Sequence, residues 1–556
     1  MKWIDRRQLF LGASLLAAAC AVARTEGLQK GQPIDLLLRG GSVIDGSGGP
    51  AFVADVAIVG DRIVGIGSYD ASDASTTLDV RGLVVAPGFV DVHTHSDSSI
   101  FRHPGAESRV RQGVTTEITG NCGGSAAPRQ EGDEEDAGSV TPRWTDVRSY
   151  AAAWASADPA LNHALLVGHG TLRRAVLGAV DRRATTVELA AMTQLLETAL
   201  DQGAIGLSTG LEYVPGIYTP AEEIEHLARS VAARGGLYAS HMRSEEDRLL
   251  EAVDEAIEVG RKTGVRVQIS HLKACGRDNW KLLDEAIVRI ENARQAGVDV
   301  MADAYPYTAY STTLTILLEP WSREGGSEAI VGRLQDQALR SRMRDELGPH
   351  VQSDPGGFEL VVIAAVTAKD HEVCVGRSLA EIAAVWKVDA AEAYMRLLEA
   401  SNADVSFIGH GMQKEGVARV LAHPLVMVGS DGRSMAPTGR VLERPHPRSY
   451  GTFPRVLGVY CRDEGLFDLP TAIRKMTAMP ADRAGLAGRG RIAVLGFADV
   501  VVFDAATVRD EATYAEPQRY PTGIVHVVVN GELVVRDGSG TTARPGRWLS
   551  SKALAR

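Results

Sequence analysis

The stretch VVAPGFVDVHTH, Val84–His95, carries the pattern on which the fold turns. A short continuous apolar run bounded by Gly and Pro fits a strand buried on both faces. It ends in two histidines, His93 and His95. On extended backbone, residues two apart point to the same side. The same plan recurs down the chain: GVTTEITGN (113–121), ALLVGHG (164–170), AIGLSTGL (204–211), GLYASHMR (236–243), VRVQISHLK (265–273), VDVMADAYPY (298–307) and PLVMVGSDG (424–432). Helical stretches lie between several of them, among them VELAAMTQLLETALDQG (187–203), EEIEHLARSVAARGG (222–236) and LLEAVDEAIEVGRKTG (249–264). Repeated strand-then-helix over this length predicts an α/β fold, a (β/α)8 TIM-like barrel.

In such a barrel every strand opens its C-terminal end onto one face, where sites are built. His93 and His95 end the first strand, Cys122 the second, His241 the fifth, His271 the sixth and Asp431 the last. Each alone could be a packed or solvated residue, and SDG is also a good turn sequence. Together, imidazole, thiolate and carboxylate are a zinc ligand set brought to one place. His169, in GHG, fits a site-lining residue and a barrel-wall histidine equally. Cys275, Cys374 and Cys461 have no partners at metal-site spacing and fit packing.

Both ends of the chain have a β pattern. IDLLLRGGSVIDGSG (34–48), ADVAIVGDRIVGIG (54–67) and TLDVRGLVVAP (77–87) are answered by ADVVVFDAATV (498–508) and IVHVVVNGELVVRDG (524–538), a hairpin turning at Asn530-Gly531. The expected organisation is a small β-sandwich domain from residues 32–86 and 485–548, and the barrel over 87–484. The alternation breaks around 308–368, expected to be an insertion in the barrel. Glu131–Gly138 is an acidic loop.

The 556 residues are 45% hydrophobic and 23% charged, as in a globular protein with a large core. A net charge of −11 argues against a nucleic-acid partner. The N-terminus, MKWIDRRQLFLGASLLAAAC, has basic residues, then an apolar stretch too short to span a bilayer. Arg6-Arg7 resembles a twin-arginine signal. Residues 1–24 are thus expected to be an export signal and the protein periplasmic, with a lipid anchor at Cys20 as the alternative to cleavage without lipid. No other run is long enough to span a membrane. Oligomeric state is not legible.

The motifs PGFVDVHTH, GVTTEITGNCGGSAAP, LVGHGTLR, STGLEYVPG, SHMRSE, ISHLK, DAYPY, VMVGSDG and HPRSYGTFPRVLG resemble the N-acyl-D-amino-acid deacylases (D-aminoacylases) of the amidohydrolase superfamily. The likeness spans residues 34 to 545. HxH belongs to the whole superfamily; the GNCG cysteine marks this branch. One observation supports the branch separately: no lysine occurs between Lys30 and Lys262. The carboxylated lysine that bridges two metals in many cyclic-amide hydrolases is therefore absent from the fourth strand, and Cys122 is the natural substitute.

The resemblance implies zinc-dependent hydrolysis of N-acyl-D-amino acids. Cys122, His241 and His271 would hold one tight Zn2+; His93 and His95, with Cys122 and Asp431, would form a second, weaker position. Asp431 would be the general base and then the general acid. Lys273, Arg448, Tyr305 and Tyr213 would bind the substrate carboxylate. The loop GRSMAPTGRVLERPHP (432–447) is longer than the family's shortest form, which bears on how Arg448 approaches. The rivals are a cyclic-amide hydrolase of the dihydroorotase or hydantoinase kind, a dipeptidase acting on D-residues, and an exported metal-binding protein without catalysis.

Overall fold

The structure, a computed structural model, describes residues 33–129, 143–352, 357–437 and 443–550. The expected leader with Cys20 and the acidic loop Glu131–Gly138 lie outside the described residues.

Eight parallel strands form the central sheet: β1 Phe89–Asp91, β2 Val114–Thr119, β3 Asn162–Gly168, β4 Gly206–Gly210, β5 Leu237–His241, β6 Arg266–Ile269, β7 Val300–Ala304 and β8 Val426–Val428. Their hydrogen-bonded order follows the chain from β1 to β8, as the barrel reading expects. Every residue of β3 is buried, which is why NHALLVG lacks polar alternation. The helices between strands are amphipathic. Ala221–Ala233 buries Ile224, Leu227, Ala228 and Val231 on one stripe and carries Glu222 and Glu223 in its first turn, where the helix dipole favours them. Thr185 and Glu188 form a capping box at the start of Thr186–Asp201.

No ladder joins β8 to β1. The gap is closed just beyond the strands, by a parallel bridge between Thr94 and Gly432. The Asp431 amide donates to the His93 carbonyl at 2.8 Å, and the His95 amide to the Gly432 carbonyl at 2.8 Å. The segments that close the barrel are therefore those that carry His93, His95 and Asp431.

The chain ends build a second, nine-stranded sheet. Its halves meet where Val84–Pro87 pairs antiparallel with Val500–Phe503. The hairpin Ile524–Val529/Glu532–Arg536 turns at Asn530 and Gly531, both in the left-handed region that such turns need.

A third sheet has three antiparallel strands, Tyr310–Thr313, Val405–Gly409 and Val361–Val366. Helices such as Leu379–Trp386 and Ala390–Ala400 pack on it around Leu379, Tyr394, Leu398 and Phe407. The insertion therefore runs on to Gly409, past the expected limit near 368. The hidden element is VSFIG, a five-residue strand whose partners lie far away in sequence.

Among the described residues, no helix is long and apolar enough to cross a membrane.

Candidate metal centre

The C-terminal ends of the barrel strands open into a chamber of 1010 Å³. His95, Cys122, Tyr213, His241, His271, Lys273, Tyr305, Asp431 and Arg448 all line it, and His93 lies buried beside them. Residues from eight separate sequence motifs thus meet in one place.

Two donor groups share Cys122. In the first, Cys122, His241 and His271 offer atoms within 4.8 Å of one another. His241 Nδ1 stands 2.9 Å from His271 Nε2, and Cys122 Sγ 3.5 Å from the same nitrogen. Tetrahedral zinc holds nitrogen ligands roughly 3.3 Å apart, so the spacing is close to a coordination edge. In the second, His93, His95, Cys122 and Asp431 meet the same limit. Cys122 Sγ lies 3.3 Å from His93 Nε2, and Asp431 Oδ1 lies 2.9 Å from His95 Nε2 and 3.6 Å from His93 Nε2.

The backbone is bent to make this possible. Cys122, His271 and Asp431 all have positive φ, at 53°, 34° and 54°. Non-glycine residues held in this region mark sites whose surroundings over-determine them. Gly210, at the end of β4, lies so close to Cys122 that a Cβ there would collide with the Cys122 carbonyl. The glycine of STG therefore seats the cysteine loop.

The electrostatics favour a cation. Burial pushes the Cys122 thiol up, but His93 and His271 outweigh it and hold the thiol well below its ordinary range. Burial also pushes the Asp431 carboxyl up; Arg448 and then His95 overcome it, leaving Asp431 ionised. Burial lowers His241, yet Glu245, Cys122 and Glu212 raise its pKa to about 10. Thiolate and carboxylate facing several imidazole nitrogens form a donor set that zinc fits.

The other expected residues surround this centre. Arg448 Nη1 is ion-paired with Asp431 Oδ2 at 2.9 Å, and Arg448 Nη2 donates to the Ser311 carbonyl at 3.0 Å. Ser311 belongs to the inserted sheet, which thus reaches the site. The Tyr305 hydroxyl is buried without a hydrogen-bond partner among the described residues, under the Arg448 guanidinium 5.0 Å from its ring centre. Tyr213 packs against His241, and its hydroxyl shares a hydrogen bond of 3.0 Å with Thr312. Lys273 is engaged by Glu245, at 2.6 Å.

His169 is a wall residue: its Nε2 meets Glu223 at 2.9 Å beside Arg173, all buried. Cys275, Cys374 and Cys461 are free, and Cys275 also lines the chamber.

Sequence reasoning missed a layer of carboxylates. Glu212, Glu245 and Asp303 face the histidines from behind. Asp303 Oδ1 accepts the His271 amide at 2.8 Å and lies 3.3 Å from His93 Nδ1. The available signal was their position: Glu212 and Glu245 follow strand ends within the motifs STGLEYVPG and SHMRSE, and Asp303 opens DAYPY.

Replacing Cys122 by alanine removes the one donor that both groups share. Metal analysis of the purified variant is expected to find zinc reduced to well below one equivalent. Full retention would show that the thiolate is not a ligand.

Residues 76–324 and 380–535 match the amidohydrolase family. The chain is 40% identical to an N-acyl-D-glutamate deacylase of Alcaligenes xylosoxydans xylosoxydans over 94% of its own length and 98% of that protein's. A crystal structure of N-acyl-D-glutamate deacylase from Bordetella bronchiseptica, complexed with zinc and a phosphonate mimic of the tetrahedral intermediate, superposes with a TM-score of 0.80. It is 37% identical, over 93% of this chain and all of that one. A D-aminoacylase structure concerned with its binuclear metal centre, with one-metal activation and second-metal attenuation, superposes at 0.79 with 38% identity. It too covers 93% of this chain and all of its own.

Proposed function

The chain belongs to the amidohydrolase family, and from that premise we propose that it hydrolyses the linear amide of N-acyl-D-amino acids, with zinc, to a carboxylate and a free D-amino acid. The observation that carries this reading is the Cys122–His241–His271 triangle beside an ionised Asp431. In place of a carboxylated lysine, β4 ends in glycine, at Gly210, and that glycine makes room for Cys122. This separates the site from the cyclic-amide plan.

Cys122, His241 and His271 would hold the tight zinc. His93 and His95, with Cys122 and Asp431, would supply the weaker second position. Zinc held by Cys122, His241 and His271 would lower the pKa of a bound water and polarise the scissile carbonyl. The rest falls to the chain's own groups. Asp431, held ionised by Arg448, takes a proton from the attacking water as its oxygen bonds to the carbonyl carbon. When the C–N bond breaks, the protonated Asp431 returns that proton to the departing amine nitrogen. Arg448 offers a guanidinium fork, and the Tyr305 hydroxyl an unused donor, to the substrate's α-carboxylate. Tyr213 and Lys273 complete that wall.

The test is a panel of N-acetyl-D- and N-acetyl-L-amino acids with varied side chains, run beside a hydantoin. Release of free amine from D-substrates is expected, with little from their L enantiomers. Activity confined to the hydantoin would reject the reading.

A further inference from the structure

If zinc sits among Cys122 Sγ, His241 Nδ1 and His271 Nε2, each imidazole must present a lone pair at that atom. Its proton must then sit on the opposite nitrogen, His241 Nε2 and His271 Nδ1. A carboxylate stands at each of those two atoms. Glu212 Oε2 is 3.1 Å from His241 Nε2, and Glu245 Oε1 is 2.8 Å from His271 Nδ1. Glu245 is 6% exposed. Glu245 Oε1 also accepts from the Lys273 ammonium at 2.6 Å, and that ammonium stands 2.9 Å from the same His271 Nδ1, so Glu245 is the acceptor there for both the imidazole N–H and the lysine.

The two contacts follow one construction rule. Glu212 comes two residues after β4 and supports the histidine of β5. Glu245 comes four residues after His241 at the end of β5 and supports the histidine that follows β6. Each carboxylate reaches sideways, from the loop of one strand to the ligand of the next. Neighbouring parallel strands place the two loops side by side, so the pairing depends on the barrel and not on sequence proximity.

We infer that Glu212 and Glu245 are positioning residues that fix the tautomer and ring orientation of His241 and His271 and so set zinc affinity. This rests on the zinc assignment above. It makes two claims of its own: that these carboxylates act through the histidines, and that they are not ligands themselves. The distinction is real, because Glu212, His241 and Glu245 also offer atoms within 4.8 Å of one another.

The experiment is a zinc-affinity measurement by chelator competition on Glu212→Ala, Glu245→Ala and the matching Gln variants, without substrate. Alanine at either position is expected to weaken zinc by about 10–100-fold. Glutamine is expected to recover part of that loss, since its amide oxygen still accepts the imidazole N–H. Circular dichroism of the metal-free proteins is expected to be unchanged. If an alanine variant does not fold, the isosteric Gln variant decides, with a smaller loss in the same direction. The Glu212→Ala change is then repeated in a His241→Ala background. Zinc binding there is expected to be the same with Glu212 or alanine, because the histidine through which Glu212 acts is gone. Wild-type affinity in both alanine variants would overturn the inference, and so would a further loss in the His241→Ala background, which would make Glu212 a ligand. Since no turnover is read, a failure of the deacylase assignment would appear only in the substrate panel.

Discussion

With Asp431 replaced by asparagine, kcat is expected to fall by about 10²–10⁴-fold, the usual share of a positioned acid–base group. Asparagine tolerates the left-handed backbone that this position needs, at φ 54°. It also keeps the shape of the side chain between His95 and Arg448. What it lacks is a basic oxygen to take the proton from water and hand it to the amine. The zinc proposed to be held by Cys122, His241 and His271 is expected to stay. Steady-state kinetics with metal analysis on the same sample reads both. A kcat near wild type, with zinc in place, would show that the proton goes elsewhere.

Replacing Arg109 by methionine is expected to destabilise the fold by about 3–5 kcal/mol, the cost of leaving buried charges unpaired. Arg109, Asp91 and Glu117 are all fully buried. Arg109 Nε donates to Glu117 Oε1 at 2.7 Å, and its Nη2 donates to Asp91 and to Ser430 Oγ. Asp91 Oδ1 in turn accepts the Ser430 amide at 2.9 Å, one residue before Asp431. The network lies where no ladder joins β8 to β1. It holds together the two segments that carry His93, His95 and Asp431. A surface control is Arg340→Met, whose side chain is 22% exposed and pairs with Glu392 and Glu399. It is expected to cost at most about 1 kcal/mol. Urea unfolding at constant m-value compares the two; equal costs would mean the Arg109 network does not hold the barrel closed.

Much of this architecture was legible because burial writes itself into sequence. Parallel strands covered on both faces become apolar runs, and eight such runs were visible. Polar residues interrupting the runs at their ends could only be at the barrel's open face. That logic found Cys122, His241, His271 and Asp431 although they are scattered over some 300 residues. The deacylase family entered by resemblance, and the comparisons agree with it.

What stayed hidden depends on three-dimensional partners. Arg109 lies in ESRVRQG, which has the composition of an exposed helix; only the facing carboxylates explain its burial. The strand Val405–Gly409 is too short for periodicity to reveal, so the insertion looked smaller than it is. The left-handed backbone at Cys122 has no local signal, because cysteine does not favour it. Glu212 and Glu245 were inside quoted motifs, yet nothing in the order of residues says that a carboxylate after one strand serves the histidine of the next.

The central claim is most directly tested by stripping the protein of metal and reloading it with zinc while following N-acetyl-D- and N-acetyl-L-amino acids. The metal-free protein is expected to be inactive, and D-substrate hydrolysis to appear as the first equivalent of zinc is restored. Equal turnover without metal, or equal turnover of both enantiomers, would contradict the account.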